Sequence, residues 1–182
     1  MQAPTGGRKD RGFTILEIAT VIVIILIIAT LLIPAYSQVR ARMDKASCMN
    51  NLRQLYVAGG AYLQDHGQWP QVDPALFGKP NNAYYEPWIT AFLPYGVGRI
   101  NWICPTTERN LGGPNYMQQA NYRADYMAMP FDTKRITPNL WPTSPWFVEK
   151  GNVHGNGNLY IQANGSITEL TQMMQMTGTS GH

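Results

Sequence analysis

An α+β fold is expected for this 182-residue chain: a long N-terminal α-helix, half membrane-spanning and half amphipathic, packed on a small loop-rich antiparallel β-sheet head. Two observations predict it. From Ile18 to Ile33 no residue carries a charge and nearly all are Ile, Val, Leu, Ala or Thr, and beyond Pro34 apolar residues continue on one side only, at helical spacing. After about residue 67 the chain turns to Gly, Pro, Asn, Gln and aromatics and ends on a hairpin pattern. This length allows one modest domain and an extended segment, not two full domains.

Phe13 to Ile33 offer 21 largely apolar positions, a helix of about 31 Å against a hydrocarbon core of about 30 Å. The stretch is too long for a secretory signal, and no small-x-small cleavage site follows it. Arg8, Lys9 and Arg11 against Asp10 supply +2 of the net charge of +3, all ahead of the apolar run. They read as a topology signal that keeps the N-terminus cytoplasmic and sends the rest across the inner membrane. No basic stripe is left for nucleic acid.

Glu17 sets the span apart from a plain anchor. A carboxylate in a membrane helix costs about 2–3 kcal/mol at the centre and less near the interface, and an anchor gains nothing from it. A subunit that pairs with a neighbour does gain, because the intramembrane charge is relieved by an opposite one. Cutting the chain before Phe13 would expose an α-amino group for an adjacent copy's Glu17 to neutralise.

Arg11-Gly12-Phe13-Thr14-Ile15-Leu16-Glu17, the apolar run and then Pro34-Ala35-Tyr36 resemble the class III signal of type IV pilins and type II secretion pseudopilins. The resemblance implies a pilin-like fold and a basic leader, residues 1–12, removed after Gly12 by a prepilin peptidase that methylates Phe13. It makes Glu17 the carboxylate that registers each subunit on its neighbour and Pro34 the helix-kinking proline. It also implies further partners: other pilins or copies of this chain, an inner-membrane assembly platform and its ATPase. The head would be periplasmic, and after assembly it would lie in a pilus or pseudopilus, including at the cell surface.

Residues 13–35 then form the transmembrane or filament-core half of the helix and 36–66 the amphipathic half, with Tyr36, Val39, Met43, Ala46, Leu52, Leu55, Tyr56, Gly59, Tyr62 and Leu63 on the apolar side. His66-Gly67 and Pro70 stop it. Gly59-Gly60 weakens the helix by about 1 kcal/mol per glycine, which close packing on the sheet would explain. Cys48 shares the face of Leu52 and Leu55, and Cys104 follows the apolar Ile100–Ile103. Either the two are free buried thiols or they form a disulfide worth about 4 kcal/mol; compartment and parity favour the bridge. Two Cys and three scattered His lack zinc-ligand spacing, so no metal is expected.

The head, residues 67–182, has too many prolines for long helices, with a short one expected around Trp88–Leu93. Its aromatics read as the core of a small domain rather than as a sugar- or peptide-binding surface. Residues 158–170 read as a β-hairpin turning on Asn164-Gly165 in a two-residue type I′ turn. Trp146–Glu149 is a third strand, and the tail from about Thr177 frays.

Cys48-Met49-Asn50-Asn51-Leu52-Arg53-Gln54-Leu55, Gln68-Trp69-Pro70, Cys104-Pro105, and His154 followed by nine residues and Asn164-Gly165 resemble bacterial prepilin-like proteins that end in a His, nine residues, Asp-Gly motif. Asn164 replaces the family's Asp, which keeps the turn geometry and loses the charge. His154, with no Cys, Ser or carboxylate beside it in sequence, reads as a hydrogen-bonded loop histidine. Glu149, Asn152, Asn156 and Asn158 offer oxygens for calcium, but such sites take several carboxylates, so no cofactor is expected. With no nucleophile–base pair and no phosphate loop, the chain reads as a non-enzymatic filament subunit. The alternatives are a minor or tip pseudopilin with a ligand-binding head, and a membrane-anchored periplasmic binding module that never polymerises.

Overall fold

The computed structural model describes residues 14–79, 83–111, 124–155 and 157–170. The chain divides into two compact units after Arg40.

The first unit is the N-terminal part of helix α1, Ile15–His66. The helix runs through Pro34. Its apolar stretch has a mean hydropathy of 3.0 and none of it is buried, and its length and composition fit a single membrane span. Thr20 and Thr30 donate their hydroxyls to the carbonyls of Glu17 and Ile27, at 2.9 and 2.8 Å, so neither presents an unsatisfied donor to an apolar surrounding.

Among the described residues, the second unit contains the rest of α1, two short α-helices, α2 (Tyr85–Phe92) and α3 (Pro105–Asn110), and a four-stranded sheet. The strands are β1 (Tyr126–Ala128), β2 (Pro145–Glu149), β3 (Leu159–Gln162) and β4 (Ile167–Glu169). They form an antiparallel meander in the order β1-β2-β3-β4, with Tyr126 opposite Glu149, Val148 opposite Tyr160 and Ile161 opposite Ile167.

The buried face of α1 begins at Cys48 and continues through Leu52, Leu55, Ala58 and Leu63, later than the apolar periodicity suggested. Tyr36, Val39 and Met43 are exposed. Several side chains tie this part of the helix to the rest of the unit, among them Lys45, Asn51 and Tyr56. Lys45 pairs with Glu169 on β4, Asn51 Nδ2 donates to the Ile103 carbonyl at 2.9 Å, and Tyr56 Oη donates to the Ala163 carbonyl at 2.8 Å. The helix ends on Gly67, at φ +67°, whose N–H bonds to the Leu63 carbonyl as left-handed caps do.

The aromatics form the core. Trp69, Trp88, Phe92, Trp102, Tyr126 and Phe147 are fully buried, and Trp69 makes edge contacts with Trp146 and Phe131 at centroid separations of 5.0 and 5.4 Å. Phe77 and Trp141 are exceptions and lie exposed. The hairpin turn differs from expectation. Three residues, Ala163 to Gly165, bridge the strands: Gly165 N–H bonds to the Gln162 carbonyl, Gln162 N–H bonds to the Ser166 carbonyl, and Gly165 sits at φ +79°. This is the three-residue loop with a left-handed bulge glycine rather than a type I′ turn, and Asn164 Oδ1 accepts from Ser166 N–H at 2.9 Å to hold it. Strand β1 and helix α3 were not legible in the sequence, being 3 and 6 residues long.

The two helical glycines sit in different surroundings. A Cβ on Gly59 would lie 2.9 Å from the Trp69 ring and 3.3 Å from Phe147, whereas on Gly60 the nearest atom would be 3.9 Å away. Gly59→Ala should therefore destabilise the head by about 1 kcal/mol or more, overpacking outweighing helix propensity. Gly60→Ala should stabilise it by about 0.5–1 kcal/mol. Thermal melts of the full chain in detergent will show opposite shifts in Tm, and equal shifts would refute the packing account.

Candidate functional site

Gly12 and Phe13 lie outside the described residues. Glu17 is in the first turn of α1, three residues after Thr14. Its Oε2 accepts from the Thr14 N–H at 2.8 Å and the Thr14 hydroxyl at 2.9 Å, while Thr14 Oγ1 accepts from the Glu17 N–H at 3.2 Å. This is a reciprocal capping box. It corrects the premise that an anchor gains nothing from Glu17: the carboxylate satisfies helix-end donors that an apolar surrounding could not. The sequence carries its signal as Thr-x-x-Glu ahead of an apolar run.

A different constellation lies in the head. Cys48, on α1, and Cys104, at the start of α3, are joined as a disulfide with their Cα atoms 5.3 Å apart. His154, in the loop after β2, places Nε2 3.6 Å from Cys104 Sγ and 3.3 Å from Oε1 of Glu149, the last residue of β2. Glu149 is wholly buried, and the His154 side chain is 4% exposed. Neither oxygen of Glu149 has a hydrogen-bond partner among the described residues. His154 is thus not a plain loop histidine without chemistry beside it. Linear spacing hid its neighbours, which strand β2 and the disulfide bring to it. One ligand atom from each of Cys48, Cys104, Glu149 and His154 lies within 4.8 Å of the others, a proximity that linear spacing did not show.

Neighbouring groups hold the cluster from behind. Asp125 Oδ2 accepts from the Cys104 N–H at 2.9 Å, and its carbonyl accepts from Lys150 N–H, next to Glu149, at 2.7 Å. Tyr126 Oη donates to the Cys48 carbonyl at 3.4 Å, and burial with Glu149 opposite pushes its phenol well above the ordinary tyrosine range. Asn164 and Gly165 form the β3–β4 turn, where Gly165 faces the Tyr56 ring rather than His154. Of the calcium-type oxygens, Asn152 Oδ1 is used by the Gly157 N–H at 2.9 Å, Glu149 points into the cluster, and Asn156 lies outside the described residues.

One span-length apolar helix with a capped carboxylate in its first turn, followed by a small antiparallel sheet, is consistent with an α+β pilin-like fold, and the helix fits a single-pass anchor by length and composition. Comparison with known proteins agrees. The chain is 31% identical over 70 residues to type II secretion system core protein G of Pectobacterium carotovorum subsp. carotovorum, covering 38% of this chain and 45% of that one. It is 35% identical over 68 residues to the protein of the same name from Escherichia coli (strain K12), covering 37% and 47%, and 32% identical over 69 residues to that of Dickeya chrysanthemi, covering 38% and 45%. The chain therefore spans less than half the length of these curated relatives. No family model and no solved structure matches it. These similarities support the pilin and pseudopilin superfamily.

His154→Ala would take away the imidazole that lies 3.3 Å from the buried Glu149 carboxyl, and it should cost about 1–3 kcal/mol. Glu149→Gln should cost less, and in that background His154→Ala should cost clearly less than it does alone. A double-mutant cycle of chemical denaturation measures the coupling, and additive effects would remove the pair from the account.

Proposed function

We propose that this chain is a structural subunit of a type II secretion pseudopilus or a related type IV pilus-like filament. The observation that carries the reading is the exposed apolar surface of α1, where Ile15 and Leu16 are 91% and 74% exposed and Val21 to Ile28 are each about half exposed. In a membrane this surface faces lipid. In a filament it packs on the same surface of other copies or of related pilins, with the heads outward. Similarity to type II secretion system core protein G favours the secretion pseudopilus.

The remaining steps follow as part of the same proposal. A prepilin peptidase removes residues 1–12 and methylates Phe13, and an inner-membrane platform with a cytoplasmic ATPase extracts the processed chain. The new amino group then lies beside the Thr14–Glu17 cap, so Glu17 can satisfy its own helix end and still offer Oε1 to a neighbour's ammonium. Pro34 leaves the Thr30 carbonyl without its helical donor, a point at which α1 can bend during assembly.

Two measurements test this. Intact mass of protein from the native membrane should show loss of residues 1–12 and one added methyl, and a chain retaining Met1 to Gly12 in cells with active peptidase would refute processing. Glu17→Gln keeps the acceptor for the cap but removes the charge. It should leave helicity and membrane insertion unchanged while reducing sheared filament by about tenfold or more, the scale of one lost charge-assisted contact. Normal assembly of this variant would confine Glu17 to capping and overturn the pairing.

A further inference from the structure

We propose that the head holds a redox-gated metal site: when the Cys48–Cys104 disulfide is reduced, the two thiolates, His154 Nε2 and the Glu149 carboxylate take up a soft divalent cation, zinc above others, so that the head is closed either by a sulfur–sulfur bond or by a metal.

The geometry is near that of a tetrahedral centre. The four ligand atoms lie within 4.8 Å of one another, with His154 Nε2 3.3 Å from Glu149 Oε1 and 3.6 Å from Cys104 Sγ. Zinc–sulfur bonds of about 2.3 Å and zinc–nitrogen bonds of about 2.0 Å place tetrahedral ligands roughly 3.3–3.8 Å apart. The sulfurs, now bonded to each other, have to separate, and the widest ligand pair has to close by about 1 Å. Two thiolates, an imidazole and one carboxylate suit zinc and its neighbours, not calcium, which takes six to eight oxygens.

A second observation is independent of proximity. Glu149 is fully buried and both of its oxygens lack hydrogen-bond partners among the described residues, although they lie beside the cluster. A carboxylate is costly in such a place unless it is paired and hydrogen-bonded or bound to a metal, and the single imidazole at 3.3 Å leaves most of its lone pairs unused. A cation between Glu149, His154 and the sulfurs would satisfy them. The supports expected behind a metal centre are present: Asp125 holds the backbone of Cys104 and of Lys150, and Tyr126 holds the carbonyl of Cys48. Access exists on the His154 side through a cavity of about 310 Å³ that Thr106 and Val153 also line. Of its basic lining residues, Lys45 and Arg109 are paired with Glu169 and Asp44, which lowers the positive charge a cation would meet.

The chemistry balances with a reductant of the dithiol class. Its thiolate attacks one cysteine sulfur, so the sulfur–sulfur bond breaks, the other cysteine leaves as a thiolate and a mixed disulfide forms; its second thiol then closes the reductant's own disulfide and displaces the first cysteine. Two electrons pass to the protein, leaving two cysteine thiols and an oxidised reductant. Metal binding then releases the two thiol protons to water, while the metal keeps its oxidation state.

The test uses the full chain in detergent micelles and does not depend on filament formation. The disulfide is reduced by a water-soluble phosphine, which becomes the phosphine oxide with oxygen from water. Cobalt(II) is then titrated under anaerobic conditions. The reduced chain should bind one equivalent, with the visible bands of tetrahedral cobalt and thiolate-to-cobalt charge transfer, and zinc should bleach them; the oxidised chain should give neither. His154→Ala and Glu149→Gln should each weaken cobalt binding by more than about tenfold. His154→Cys, which restores a ligand, should regain tetrahedral bands and serves where His154→Ala does not fold. A reduced, folded wild-type chain without these bands, or with an affinity indifferent to both substitutions, would overturn the proposal.

Discussion

The physical constraint behind the whole molecule is that the first half of α1 is apolar on every side and exposed along its length. A helix with no polar face cannot rest in water, and it satisfies all its backbone groups internally, so lipid or a bundle of like helices is its natural surrounding. Both surroundings are equally greasy, so hydrophobicity alone does not decide between them. Packing and polar contacts do. The carboxylate at the start of the span is a polar group in such a surrounding, and Thr14 is placed to hold it.

The head solves a different problem. It has few aliphatic residues and short strands, so its stability rests on large rings and on cross-links between distant segments. Trp69 fills the space that the absent side chain of Gly59 leaves against Phe147. Its Nε1 donates to the Met129 carbonyl at 2.9 Å, which joins the segment after α1 to the end of β1. The Cys48–Cys104 bridge, with a sequence separation of 56, draws α1 and α3 together. The ion pair of Lys45 with Glu169 and the Tyr56–Ala163 hydrogen bond then fix the last hairpin to the same helix. The aromatic residues thus serve as core, as their composition suggested, and Phe77 and Trp141 are left on the surface.

Some features of the candidate sites were legible residue by residue. The helix end at His66-Gly67, strand Trp146–Glu149 and the hairpin around residues 158–170 followed from local rules, because capping glycines, alternating apolar residues and Asn-Gly turns act over a few positions. The turn type did not follow, since Ala163 joins the loop only through the register that Tyr160 opposite Thr168 and Ile161 opposite Ile167 impose. The start of the buried face was also displaced, from Tyr36 to Cys48, because periodicity records which side of a helix is apolar and not where a partner begins to cover it.

By itself the sequence determined the long apolar helix, the charged residues ahead of it, the carboxylate at position 17 and the α+β class, because each depends on composition and on neighbours a few residues away. Only the tertiary structure decided that His154 meets Glu149 and Cys104, five and fifty residues distant in the chain. No local spacing rule encodes that meeting. It exists because antiparallel pairing brings the end of β2 beside Tyr126, and a buried bridge from α1 closes the other side of the same pocket.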